Sequence, residues 1–202
     1  MVRVRIYVEG GGGKIAKRKC REGFTELFEK IVDPACAPLV IPCGPRGEAC
    51  KNFCAALRDG TAATGVLLVD SEYAVAANDT AWRHLARHDK WKRPAAATGE
   101  QAHLMVQCME SWFLADKPAL AEYYGQGFSG KALPQCGNVE LIPKKDVLNK
   151  LTRATSKTQK GRYSKGAHSF EILARLNPAL VEAASPFAKR LFDFLRKNAA
   201  HK

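Results

Sequence analysis

Apolar and polar positions alternate at the start of the chain, Val2-Arg3-Val4-Arg5-Ile6-Tyr7-Val8, with the period of two that marks a β-strand. Two arginines on one face place this strand toward a sheet edge. After the glycines that follow, Ile15, Phe24, Leu27, Phe28 and Ile31 recur at near-helical spacing. They predict a helix within residues 14 to 32, closed by Pro34 and Pro38. Leu39-Val40-Ile41 reads as a short second strand. Ala49, Phe53, Ala56 and Leu57 fit a second helix that ends at Asp59-Gly60. Gly65 to Val69 is a continuous apolar run, the mark of a strand buried on both faces. The order β-α-β-α-β within seventy residues implies a parallel sheet with right-handed crossovers.

Beyond this unit the pattern is looser. Residues 73 to 100 read as a long connection with room for one short helix, and its length marks a lid or binding loop. His103 to Cys108 is a fourth strand, and Met109 to Asp116 a turn into a helix. From 117 onward the periodicity is mostly helical, with loops at 125–137 and 156–166. Phe187, Leu191, Phe194 and Leu195 form an amphipathic last helix. The expected fold class is α/β: a mostly parallel, four-stranded Rossmann-like sheet with flanking helices and a helical C-terminal extension. A core spanning 1–125 and a basic, mainly helical extension spanning 126–202 are expected to pack as one unit.

The chain has 202 residues, 46% of them hydrophobic, which supports a full core. Its net charge is +12, which favours a polyanionic partner, nucleic acid first. Between Leu141 and Phe170 lie Lys144, Lys145, Lys150, Arg153, Lys157, Lys160, Arg162 and Lys165 against Asp146, a net +7. Phosphate-backbone binding needs such clustering, and a solvated helix face followed by a loop explains it equally. Seven cysteines lack zinc-finger spacing and read as free thiols in a reducing cytoplasm. The basic start has no apolar h-region behind it, so no signal peptide is expected. The apolar runs are too short to cross a bilayer.

In parallel sheets ligands bind at the carboxyl ends of strands. The first strand runs into Glu9-Gly10-Gly11-Gly12-Gly13 and the third into Asp70-Ser71-Glu72. Glu9 is a metal ligand or general base, and the glycines let backbone approach a phosphate; the plainer reading is a flexible turn. By strand alternation Asp70 and Glu72 point to one side, where they repel unless a cation lies between them. Oxygen ligands suit Mg²⁺ or Mn²⁺, and such ions serve in-line phosphoryl displacement. A capping Asp beside a surface Glu is the plainer alternative. Glu110 ends the fourth strand and reaches the same edge, with capping as its rival, as for Asp116. Lys165 and His168 offer a cation for the transition state or serve as surface groups. Arg46, after the second strand, contacts phosphate or solvent. His84 and His88 have the i, i+4 spacing of a metal pair without a third ligand, and are read as loop residues.

Glu after the first strand and an Asp-x-acid pair after the third resemble the Toprim fold, the metal-dependent domain of topoisomerases, primases and OLD-family nucleases. Several segments are similar to the bacterial family called domain of unknown function 4276. These are Tyr7-Val8-Glu9-Gly10-Gly11, Cys20-Arg21-Glu22-Gly23-Phe24, Leu68-Val69-Asp70-Ser71-Glu72, Met105 to Asp116 and Tyr163-Ser164-Lys165-Gly166. Together they span nearly the whole chain. The resemblance implies a Toprim-like sheet with Mg²⁺ held by Glu9, Asp70 and Glu72, and association with an ABC/AAA-type ATPase in anti-phage defence. The chain departs from the usual Toprim Asp-x-Asp by its Glu72, whose longer side chain still reaches a metal.

The combined expectation is a Mg²⁺- or Mn²⁺-dependent nuclease, the effector of a two-component defence system. Glu9, Asp70, Glu72, Glu110 and Lys165 carry the chemistry. Arg46 and the basic residues from Lys144 to Arg162 hold DNA or RNA. The alternatives are a non-catalytic module that binds nucleic acid or docks on the ATPase, and an enzyme of small phosphorylated metabolites. A homo-oligomer stays open, and a membrane partner is not expected.

Overall fold

A computed structural model describes residues 4–60, 64–76 and 78–200. Four parallel strands form one sheet in the order β2-β1-β3-β4: β1 Arg5–Val8, β2 Leu39–Pro42, β3 Gly65–Asp70 and β4 Ala102–Met105. The α/β class and the parallel crossovers read from the sequence are therefore present, and every strand pair is parallel.

The first strand is not near an edge. β1 is flanked by both β2 and β3, and the edges are β2 and β4. The alternation of β1 reflects its two covered faces. Ile6 and Val8 enter one core with Val66, Leu68 and Met105, while Tyr7 enters another with Leu67, Val69 and Leu104. Arg5 remains half-exposed; Arg3 lies outside the described residues.

Helices cover both faces. α1 (Lys14–Glu29) buries Cys20, Phe24, Leu27 and Phe28 in the first core. α2 (Arg46–Arg58) and α3 (Ala81–His88) supply Ala49, Phe53, Trp82 and Leu85 to the second. The connection of 73–100 thus holds a packed helix. Trp82 and Leu85 lie inward from it, and Thr80 caps it by accepting the Arg83 N–H at 3.2 Å. His84 and His88 are helical residues, and the expectation of loop placement is corrected.

The chain then runs through α4 (Ser111–Ala115), α5 (Lys117–Tyr124), α6 (Lys144–Ala154), α7 (Ser169–Arg175), α8 (Pro178–Ala184) and α9 (Pro186–Ala200). Trp112, Leu151, Leu173 and Phe192 join the same core as Phe24, so these helices share apolar packing with the sheet. α9 packs against β4. Asp116 is a cap: it accepts the Ala119 N–H at 3.0 Å and the Asn177 N–H at 2.7 Å. All seven cysteines are free, with Cys20, Cys43 and Cys108 buried. Among the described residues no helix is long and apolar enough to cross a membrane.

α1 and α7 meet at Gly23, where a Cβ would lie 2.5 Å from the Phe170 carbonyl oxygen. Backbone cannot give way there as a flexible side chain would. Gly23→Ala is expected to cost about 2 kcal/mol, read as a lowered thermal midpoint. An unchanged midpoint would show that the two helices do not pack this closely.

Candidate metal centre

Three carboxylates converge where β1 and β3 end. One oxygen each from Glu9, Asp70 and Glu72 lies within 4.8 Å of the others. The β1–β3 register pairs Val8 with Leu68, so both chains leave the sheet together. The Glu9 N–H donates to the Leu68 carbonyl at 3.0 Å, and the Asp70 N–H donates to Glu9 Oε2 at 3.0 Å. Backbone pairing and a side-chain bond thereby fix Glu9 beside Asp70.

Glu72 arrives by a different route from the strand alternation expected. β3 stops at Asp70, and Glu72 has φ 65°, a left-handed conformation unusual for a residue with a Cβ. Such a residue costs on the order of 1–2 kcal/mol. The turn is anchored by the Ser71 N–H on the Met105 carbonyl and the Glu72 N–H on the Gln107 carbonyl, each at 3.0 Å. Strained backbone held by its surroundings is a feature of functional sites. His84 braces the same turn, its Nε2 donating to the Ser71 carbonyl at 2.9 Å.

The glycines after β1 serve packing first. Gly10 exchanges two backbone hydrogen bonds with Gly44 at 2.9 and 3.0 Å. Gly11 has φ 79°, and a Cβ there would meet Lys17 backbone at 2.7 Å. Only Gly12 and Gly13 face open space.

Two lysines answer the carboxylates. Lys144 Nζ lies 2.7 and 2.8 Å from the oxygens of Glu72 and 3.3 Å from Asp70 Oδ2. Lys165 Nζ lies 3.6 Å from Asp70 Oδ2 and 3.6 Å from Glu110 Oε2. Burial opposes the charge on both ammonium groups, yet Asp70 and its neighbours hold their pKa values above the ordinary lysine range. Asp70 is buried and accepts the Met109 N–H on Oδ1 at 2.9 Å. Burial pushes its pKa up, against the pull of Lys165 and Lys144. Burial and the Asp70 charge together raise Glu9 from 4.5 to about 7, with the Asp70 N–H bond and Arg46 acting in opposition.

Glu110 does reach the site. It is fully buried, and its Oε1 accepts the Tyr163 hydroxyl at 2.9 Å, while among the described residues Oε2 has no hydrogen-bond partner and is ion-paired with Lys165. Tyr163 in turn meets Ser169 Oγ at 2.8 Å.

The other expected site residues divide. Lys144 belongs to the acidic cluster itself, beyond the phosphate-gripping role read from its place in the basic run. Lys145, Arg153, Lys157, Lys160 and Arg162 are exposed and Lys150 half-buried, on α6 and the segment beyond it. Arg46 is held by Asp89 at 3.1 Å and lies 5.2 Å from the Trp91 ring centroid, near enough to bear on Glu9. His168 Nδ1 lies 3.0 Å from Tyr124 OH and accepts the Ser164 N–H at 3.4 Å, so it steadies the turn that carries Lys165.

The sequence reading missed Gln107 and Tyr163. Gln107 Oε1 accepts the Lys144 N–H at 3.2 Å, and Tyr163 holds Glu110. The Tyr163-Ser164-Lys165-Gly166 segment was the signal for Tyr163, and the Met105 to Asp116 segment that for Gln107.

The chain matches the family described as domain of unknown function, DUF4276, over residues 8–196. It belongs to the DUF4276 family. No curated protein and no solved structure matches it. The match takes in Glu9, Asp70, Glu72, Glu110, Lys144 and Lys165, so the whole cluster lies within the DUF4276 region.

The donor set fits a divalent cation. Three converging oxygens suit a hard ion such as Mg²⁺ or Mn²⁺. Burial and the neighbouring Asp70 charge raise Glu9, and the buried Glu110 Oε2 has an ion pair with Lys165 but no hydrogen bond among the described residues. A cavity of about 400 Å³, lined by Ala81, His103, Phe187 and Phe194 among others, includes none of these residues.

A carboxyl with a raised folded-state pKa loses stability as pH rises, because the unfolded chain releases that proton first. The window runs from 4.5 to about 7. In EDTA the thermal midpoint of Glu9→Gln is therefore expected to gain on that of the unaltered protein as pH rises through this window. Parallel curves would contradict the environment assigned to Glu9.

Proposed function

We propose that this DUF4276 chain is a metal-dependent phosphodiesterase acting on DNA or RNA, with Glu9, Asp70 and Glu72 as ligands of Mg²⁺ or Mn²⁺. The observation that carries the reading is the convergence of three carboxylates at the carboxyl edge of a parallel sheet, with two lysines against them, in a chain of net charge +12. When bound there, the ion would polarise a phosphate oxygen and acidify a coordinated water.

The protein's own groups supply the rest. Lys165, oriented by Asp70 and Glu110, offers positive charge to the phosphate as negative charge develops on it. Glu110 is a positioning residue, itself aimed by Tyr163. Arg46, Lys145, Lys150, Arg153, Lys157, Lys160 and Arg162 attract the phosphate backbone, a contribution that weakens with salt. The Toprim-like arrangement supports placing the chain as the effector beside an ABC/AAA-type ATPase in anti-phage defence.

A second reading has one observation of its own. Lys144 ion-pairs with both Asp70 and Glu72, as in a structural ion-pair cluster. A non-catalytic module that binds nucleic acid or docks on the ATPase would use the cluster in this way.

Asp70→Asn separates the two. It keeps an oxygen for the Met109 N–H and removes the charge. Mg²⁺-dependent cleavage of DNA or RNA is expected to fall by roughly a hundredfold or more, with the circular dichroism spectrum unchanged. Undiminished cleavage would sink the catalytic assignment. Salt-sensitive binding that ignores both EDTA and Asp70→Asn, with no cleavage, would favour the binding module.

A further inference from the structure

We propose that Lys144 is an internal cation holding the place of the divalent ion, released from Asp70 and Glu72 when that ion is taken up. The inference rests on the metal-site reading above and adds a regulation to it.

The geometry of Lys144 is that of a bound ion more than of a surface pair. An ammonium has three donors and no acceptor. Here its nitrogen is within 2.7 and 2.8 Å of both oxygens of Glu72 and 3.3 Å of Asp70 Oδ2, so three oxygens surround it. Those oxygens belong to two of the three residues that form the acidic cluster. Lys144 and a divalent ion at this cluster would compete for the same charge, and their mutual repulsion in a half-buried site opposes joint occupancy.

Its position on the chain supports the same conclusion. Lys144 is the first residue of α6, after Pro143. A cation is disfavoured there by the partial positive charge of the helix N-terminus, where Asp146 in the first turn is the favourable choice. The carboxylates must outweigh that cost. The backbone is fixed, since the Lys144 N–H donates to Gln107 Oε1 and the Gln107 carbonyl accepts the Glu72 N–H. Only the four-carbon stem is left to move. The ammonium can leave the carboxylates while its Cα stays at the rim.

Lys165 is built for the opposite behaviour. It pairs with Glu110, which is fully buried and whose Oε2 has no hydrogen-bond partner among the described residues. Withdrawing Lys165 would strand that carboxylate, a costly change. Glu72, with a side chain 30% exposed, tolerates loss of its lysine far better. Loss of its lysine is thus costlier for Glu110 than for Glu72, although the Lys165 side chain is itself the more exposed, 55% against 24% for Lys144.

Calorimetric titration of Mn²⁺ into the full chain, Lys144→Met, Lys144→Arg and Asp70→Asn tests this. Lys144→Met, which keeps the stem and removes the charge, is expected to bind Mn²⁺ roughly tenfold more tightly. Its metal-free thermal midpoint should fall, and saturating Mn²⁺ should raise it by more than in the unaltered protein. Lys144→Arg keeps a competing cation and should bind Mn²⁺ near the unaltered affinity. Equal or weaker Mn²⁺ binding by Lys144→Met, with binding still lost in Asp70→Asn, would overturn the role of Lys144 and leave the metal centre standing. Absence of Mn²⁺ binding in both the unaltered protein and Lys144→Met would overturn the metal centre, and this proposal with it.

Discussion

Glu9, Asp70, Glu72 and Glu110 crowd four carboxylates onto one edge of a parallel sheet, in a chain whose overall charge is strongly positive. Like charges at such separations repel, and burial of Asp70 and Glu110 removes the water that would screen them. Folding must neutralise the cluster from within. Lys144 and Lys165 do so in part, while burial and the Asp70 charge still raise the Glu9 pKa. The surrounding structure follows from that demand. α6 begins where it can deliver Lys144, and the turn steadied by His168 delivers Lys165.

The parallel sheet makes the crowding possible. Adjacent parallel strands end side by side, so residues sixty-one positions apart in sequence arrive at one point. The bond from the Asp70 N–H to Glu9 Oε2 records this directly. The two apolar cores hold the strands in register, and the register decides which residues leave the sheet together. Helices far along the chain share in this: Tyr163 and Ser169 secure Glu110, and Phe170 closes against α1 at Gly23.

Much of this was legible in the sequence. The change from period two to near-helical spacing placed β1 and α1, and the apolar run Gly65 to Val69 marked β3 as buried on both faces. Carboxylates immediately after two such runs pointed to Glu9 and Asp70, because parallel topology brings strand ends together wherever they lie in sequence. The edge placement of β1 failed because a strand covered on both faces also tolerates an alternating pattern when Arg5 can reach solvent. Glu72 was identified for the wrong reason: its left-handed turn, and not strand alternation, aims it inward. α3 was anticipated only as one short helix somewhere in the connection of 73–100, because its eight residues give too few turns for the periodicity to place it. The inward turn of Lys144 was illegible, since a lysine in a basic run reads as surface until the partner carboxylates are located in space.

The most direct measurement is an anomalous difference map from a crystal grown with Mn²⁺. One peak among the oxygens of Glu9, Asp70 and Glu72, with the Lys144 ammonium withdrawn from Glu72, is the expected result. A map with no peak at those carboxylates and Lys144 still seated between Asp70 and Glu72 would contradict a metal centre and leave a structural ion-pair cluster in its place.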